Sequence, residues 1–369
     1  MPSHPRIDDA LVALEAIAPR HLRLGDDPHG LLAGDPDAPL TGITVALDAT
    51  GAVVRAAARA GHGLVLAHHP LWYHRARTLV ASDPFPAPVL VEALRHGIAV
   101  ACAHTAWDVA PGGVNDVLAK LVGVQDPRPV RITHAEALSQ LIVYVPHAHA
   151  DRVREAIFAA GGGAAGNYDE CAFELHGEGS FRPLPGSNPV VGSHMQREVV
   201  REVRLETILP TRIASRVVEA ARIAHPYETM AHSVHALANT DGPRGLGRIG
   251  ALPEPRSSTE FLRSLAEALR FDAIRDSGVQ VPIRTVAVCG GAGAELMAEA
   301  QAAGADVLVT SDVRHHEFVE AMHRNFLLVD AGHAATEDPG TRELARRLKS
   351  ALPEVEIVLR DPAGAPAAV

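Results

Sequence analysis

The apolar positions of the chain form short unbroken runs, separated by segments in which they recur every three or four residues. GITVALDAT (42–50), GLVLAHHP (63–70) and IAVACAHT (98–105) are such runs, each one the pattern of a buried strand. GAVVRAAARAGH (51–62) and APVLVEALRHG (87–97) lie between them with helical spacing, and VNDVLAKLVGV (114–124) comes after the third. The second half repeats the order. RTVAVCGG (284–291), ADVLVTSD (305–312) and FLLVDAGH (326–333) read as strands. AELMAEAQAAG (294–304) and HEFVEAMHRN (316–325) read as the helices between them, and TRELARRLKSAL (341–352) as a basic amphipathic helix after them. Strands alternating with helices of this length predict parallel sheets, and the recurrence predicts an internal duplication. The expected fold class is therefore α/β, with two related lobes and mainly parallel sheets.

The middle breaks the pattern. Residues 137–162 read as strand then helix, 171–189 as strand, loop and turn, and 201–237 as strand, helix and strand. Two β-α-β-like halves predict a ferredoxin-like α+β insertion. The turn-forming stretches QDPRP (125–129) and NTDGPRGLG (239–247) mark its borders. The expected division is an N-terminal lobe over 1–130, an inserted domain over 131–244 and a C-terminal lobe over 245–369.

A length of 369 residues accords with two or three domains. The net charge of −10, with no block of Lys or Arg, argues against a nucleic-acid partner. Cys102, Cys171 and Cys289 are far apart, which argues against a disulfide framework and against a thiolate zinc site. The first 19 residues lack the apolar centre of a leader, and no run of 18 apolar residues spans a membrane. The expected location is the cytoplasm. Histidine is abundant at 21 residues, so about one His-His pair is expected by chance, and the two present, His68-His69 and His315-His316, carry little weight alone.

What carries weight is where the strands end. One runs into His68, His69 and Pro70; another into His104, Thr105 and Asp108; a third into His333 and Glu337; a fourth into Ser311, Asp312, His315 and His316. Ligands bind beyond the carboxyl ends of parallel strands, so four strands deliver imidazoles and carboxylates to one edge. His333 and Glu337 share a face if their segment is helical. Three imidazoles and two carboxylates suit a divalent zinc, iron, manganese or cobalt ion. A carboxylate can bridge two such ions, and a pair of them activates water.

LAHHP (66–70), AHTAWDVAPGGVND (103–116), TSDVRHHE (310–317) and VDAGHAATE (329–337) closely resemble the signature blocks of the NIF-three-like proteins, often named GTP cyclohydrolase I type 2 homologues. The resemblance extends to 30–50 and to HPYE (225–228). It implies two α/β lobes with a dinuclear metal site between them, a toroidal homohexamer, and, in the longer subgroup, an inserted domain. It implies that His68 and His69 serve one metal each, that Asp108, His333 and Glu337 complete the ligand set, and that Glu337 bridges. His104, Asp312 and His316 fall near the site. The sequence departs from the family at RLGDDPHGLLAG (23–34), where relatives often have Trp-Asp-Asn-x-Gly-Leu, and at Ala106, where an Asn is usual.

The expected function is a metal-dependent hydrolase with two divalent transition-metal ions, His104 or His316 moving the proton, and a small nucleotide or phosphoester as substrate. The alternative is a non-catalytic regulator, metal chaperone or hexameric scaffold. His104 also reads as a residue that orients Asp108. Cys289-Gly-Gly-Ala-Gly293 lacks a full phosphate-binding pattern and reads as a tight turn. His147, His149 and His176 read as surface residues.

Overall fold

The computed structural model describes residues 5–72, 78–166 and 168–361; the first four residues of the stretch read for a leader lie outside it. It divides into two compact units, one formed by residues up to Thr133 together with those from Arg244 onward, the other by His134–Pro243. In chain order the strands are β1 (His29–Ala33), β2 (Ile43–Ala46), β3 (Leu64–Ala67), β4 (Ala99–Ala103), β5 (Gln125–Arg128), β6 (Arg131–Pro146), β7 (Ala172–Phe181), β8 (Glu198–Pro210), β9 (His232–Leu246), β10 (Arg248–Arg256), β11 (Arg275–Asp276), β12 (Ile283–Ala292), β13 (Val307–Ser311), β14 (Leu327–Asp330) and β15 (Ile357–Arg360).

The first unit contains two mixed sheets. One has the order β1-β4-β3-β2-β15, the other β11-β14-β13-β12-β10-β5. β4, β3, β2 and β15 are mutually parallel, as are β12, β13 and β14, while β1, β11, β10 and β5 pair antiparallel. The parallel cores arise as the apolar runs predict, because both faces of each strand are buried: every residue of β2, β3, β4, β13 and β14 is inside. Local signals close the helices between them. Thr50 accepts a hydrogen bond from the Val53 amide at the start of helix Gly51–Ala60, and Gly61 ends it in the left-handed conformation.

The sheets exchange their outermost strands. β5 comes after the first parallel set in sequence but lies on the edge of the second sheet, and β15 comes after the second set but pairs with β2 of the first. β5 is exposed throughout and contains Pro127, so it has neither the hydrophobic signature nor the donors of a central strand.

Helices Val114–Val122 and His333–Ala351 join the two cores. Val114 packs with Leu344 and Leu348 beside the first sheet, whereas Leu118, Ala119 and the flank of Ala335 pack against the second. The helices meet through Gly340, where a Cβ would stand 2.7 Å from Val114 Cγ2 and 2.8 Å from its Cα. The fully buried Trp107 donates its indole N–H to the Gly340 carbonyl at 2.9 Å. The second helix starts at His333, eight residues before the amphipathic stretch predicted from the sequence, and continues through Pro339. Burial of Thr336, Glu337, Gly340, Thr341 and Leu344 outweighs the local cost of the proline.

The second unit is a four-stranded sheet of order β7-β8-β6-β9, with β8 antiparallel to both neighbours. Helices Ala150–Ala159 and Ala214–Ala224 cover one face, where Val153, Ile157, Val217 and Ala221 pack on Leu141, Val143, Val203 and Leu205. His147 and His176 are exposed and His149 is half-buried. No helix of the described residues is long and apolar enough to cross a membrane, and Cys102, Cys171 and Cys289 are unpaired.

Candidate metal centre

His68 and His69 leave the end of β3, and their amides continue the ladder onto the carbonyls of Ala46 and Leu47. His104 lies just past β4 and starts the short helix Thr105–Val109, which carries Asp108. His333 and Glu337 occupy successive turns of helix His333–Ala351, on one face. All six side chains come together within the first unit.

Each imidazole is held by one nitrogen. His68 Nδ1 donates to the Ala103 carbonyl at 3.0 Å, His69 Nδ1 to Asp48 Oδ1 at 2.8 Å, His104 Nδ1 to Asp27 Oδ1 at 2.9 Å, and His333 Nδ1 to Asp312 Oδ2 at 2.6 Å. A carbonyl can only accept, so His68 carries a proton at Nδ1, and its Nε2 faces the centre. Holding one nitrogen while presenting the other is how metal-binding histidines are oriented.

The two oxygens of Glu337 face different partners. Oε1 lies 3.8 Å from His68 Nε2, which is 3.6 Å from Asp108 Oδ1. Oε2 lies 2.9 Å from both His69 Nε2 and His333 Nε2, which are 3.2 Å apart. Donor atoms around a tetrahedral zinc-like ion stand about 3.3 Å apart, and these spacings bracket that value. His68 Nε2 and Asp108 Oδ1 are buried and lack a hydrogen-bond partner. Two such atoms facing each other at 3.6 Å would be costly without a cation or a proton between them. Donor atoms of His68, His69 and His104, and of His69, His333 and Glu337, lie within 4.8 Å of one another as two overlapping triads.

The charges agree. Asp27, Asp48, Asp108, Asp312 and Glu337 surround four imidazoles. With neutral rings the cluster carries five negative charges, which two divalent ions would nearly cancel. Protons take that role otherwise. Burial works against charging His69, yet Asp48 and Glu337 on either side outweigh it and push its pKa up to about 10. Glu337 raises His333 to about 9, against burial. Burial opposes charge on His68 as well, but Asp108 and Glu337 move its pKa upward. Burial, reinforced by the Glu337 charge, lifts Asp108 to about 6. Burial also acts to raise Glu337, but its three histidine partners overcome that and hold it far below the ordinary carboxylate range.

Over residues 5–363 the chain matches the family described as Duf34/NIF3 (NGG1p interacting factor 3). It belongs to the Duf34/NIF3 family. The GTP cyclohydrolase 1 type 2 homolog of Halalkalibacterium halodurans is 37% identical over 348 residues, covering 93% of each chain. That of Mycobacterium tuberculosis is 39% identical over 355 residues, 94% of this chain and 92% of its own. A solved Bacillus cereus protein related to NIF3 superposes with a TM-score of 0.87 at 34% identity, over 97% of each chain.

In this Duf34/NIF3 chain the structure brings together His68, His69, His104, Asp108, His333 and Glu337, with Asp312 behind His333. It does not bring His316, which is exposed near the start of helix His315–His323 and whose side chain, among the described residues, makes no hydrogen bond, ion pair or ring contact. Sequence reasoning missed Asp27, Asp48 and Asn115. Asp27 sits in the stretch that departs from the family pattern, and it also accepts from the Thr105 amide and hydroxyl. Asn115 is fully buried, donates to the Asp108 carbonyl at 2.9 Å and accepts from the Gly290 amide at 2.9 Å, tying the Asp108 turn to β12. The glycine run 290–293 has a packing role. Its amides are spent on Asn115, Thr336 and Thr310, and a Cβ on Gly291 would overlap Glu337 Oε1.

Proposed function

We propose that the cluster binds two divalent transition-metal ions bridged by Glu337, and that the chain is a metal-dependent hydrolase. The supporting observation is the convergence of buried imidazole and carboxylate donor atoms, in two overlapping triads, with the imidazoles locked from behind. One ion would be held by His68, Asp108 and Glu337 Oε1, the other by His69, His333 and Glu337 Oε2. Zinc, iron, manganese and cobalt all suit this donor set. When bound, such a pair supplies Lewis acidity toward a carbonyl or phosphoryl oxygen and acidifies water.

The chain's own residues do the rest. Asp48, Asp312 and the Ala103 carbonyl fix three rings so that no reorientation is needed on binding. His333 is the most open of the ligands, at 36% side-chain exposure against 4% for Glu337, so a substrate approaches from the His333 and Asp312 side. His104, held by Asp27 at Nδ1, can take and return a proton at its other nitrogen. That role falls to His104 and not to His316, which stands outside the cluster.

The name carried by the relatives makes GTP the first substrate to test, before a panel of phosphoesters. Turnover restored by metal and lost in His333→Ala supports the hydrolase reading; no turnover on any of them, with metal loaded, refutes it. The same cluster joins helix His333–Ala351 to the ends of β3 and β4, which favours a second reading, metal as a brace for a hexameric scaffold. In that case His69→Ala and Glu337→Ala change the mass measured by light scattering, and an unchanged metal-free homohexamer counts against it.

A further inference from the structure

His225-Pro226-Tyr227-Glu228 plays no part in the metal centre, yet each of its polar groups has a defined place in the second unit. Beside it lies a cavity of about 330 Å³. Its walls include the rings of Tyr144, Phe181 and Tyr227 and the carboxylates of Glu202 and Glu228. Among the described residues, no Lys, Arg or His lines it. The volume is at the small end for ligand pockets and suits a molecule of about ten non-hydrogen atoms.

The motif builds this cavity. His225 is buried behind the wall, donates Nε2–H to the Tyr144 carbonyl at 3.0 Å and accepts from the Tyr227 amide at 3.1 Å, so it fixes the backbone of two aromatic wall residues. Burial lowers its pKa, so it adds no positive charge. Tyr227 meets Phe181 edge-on, with centroids 5.6 Å apart. Glu228 Oε1 accepts the Asn188 amide at 3.1 Å, which pins the loop forming the opposite wall. Among the described residues the Glu202 carboxylate has no ion-pair or hydrogen-bond partner, and burial alone raises its pKa. The Tyr227 hydroxyl is shielded from solvent and hydrogen-bonds to no described residue.

Aromatic faces attract cations, and two carboxylates without a basic neighbour in the same walls select positive charge further. We propose that this cavity is a binding site for a small organic ammonium ion, with the apolar body between Tyr144, Phe181 and Tyr227 and the ammonium on Glu202. The site lies wholly within the inserted unit and does not depend on the metal reading.

The test uses the full chain and 2-phenylethylammonium at neutral pH, with binding read by calorimetry or saturation-transfer NMR. The neutral and anionic analogues of the same size, 2-phenylethanol and phenylacetate, are run beside it. The ammonium saturates in the millimolar range or below, and both analogues bind at least about tenfold more weakly. Glu202→Gln brings the ammonium to the level of the alcohol, and Glu228→Gln weakens it several-fold, with metal content unchanged in both. The proposal is overturned if the alcohol or the carboxylate binds as well as the ammonium, if neither variant weakens it, or if no saturation occurs by about 10 mM. Should Glu202→Gln fail to fold, Glu228→Gln and the charge series on the unaltered protein decide.

Discussion

Gly291 tests whether the carboxylate of Glu337, proposed to bridge two ions, is positioned by the backbone opposite it. Its φ is +64°, and a Cβ there would overlap Glu337 Oε1 and come 3.4 Å from His333 Cε1. Gly291→Ala therefore imposes two separate costs. The first is the left-handed backbone, about 1–2 kcal/mol for a residue with a Cβ. The second is displacement of Glu337, which has nowhere to go, being 3% exposed and held at Oε2 by His69 and His333. If Glu337 bridges as proposed, a retreat of about 1 Å moves it far enough to lose roughly 10–100-fold in metal affinity. Gly61→Ala is the control. Gly61 has φ +72° with nothing within 4 Å of its would-be Cβ, so it carries the backbone cost alone. Competition against a chelator of known affinity measures metal binding, and thermal unfolding measures stability. Both variants lower the melting temperature, and only Gly291→Ala loses metal. Equal metal affinity in the two would refute the claim that the glycine makes room for Glu337.

Asn115→Ala removes one acceptor and one donor from buried partners, Gly290 N–H and Asp108 C=O. It costs about 2–4 kcal/mol, read as a drop of several degrees in melting temperature; a neutral effect would show that water replaces the side chain. The metal-free protein loses stability as pH rises. His69 and His333, raised in the folded state to about 10 and about 9, contribute stability that is whole below their unfolded value of 6.5 and lost as pH rises through those values. Asp108, raised to about 6, acts in the same direction at lower pH. Metal loading reverses the slope, because ions require deprotonated ligands; melting curves at about pH 6.5 and about pH 9.5, with and without chelator, check the sign, and parallel slopes would contradict it. Asp48→Asn keeps the shape but weakens the acceptor behind His69, lowering metal affinity about tenfold in the same chelator competition.

The clustered histidines and carboxylates could be read from the sequence because each sits where a local signal ends. The apolar runs 63–67 and 98–103 can only be buried strands, and the residues at their ends, His68, His69 and His104, must appear at the carboxyl edge of a parallel sheet. Periodicity placed the helices between them for the same reason, since side-chain direction is set by φ and ψ a few residues away. The start of the last helix was hidden because Pro339 reads as a helix boundary; its cost is local and the compensation is tertiary, through Thr336, Glu337 and Thr341 buried on one face. The exchange of β5 and β15 between the sheets was also invisible, because edge strands carry no distinctive hydrophobic pattern.

The sequence by itself determined the α/β repeat and the places of the candidate site residues at the strand ends, because those depend on periods of two and 3.6 residues and on what terminates them. Only the tertiary structure decided what stands behind each of these side chains. Asp27 reaches His104 across 77 residues, Asp48 reaches His69 across 21, and Asn115 reaches Gly290 across 175. Those partners are chosen by packing, and a hydrogen bond between distant residues leaves no periodic trace along the chain.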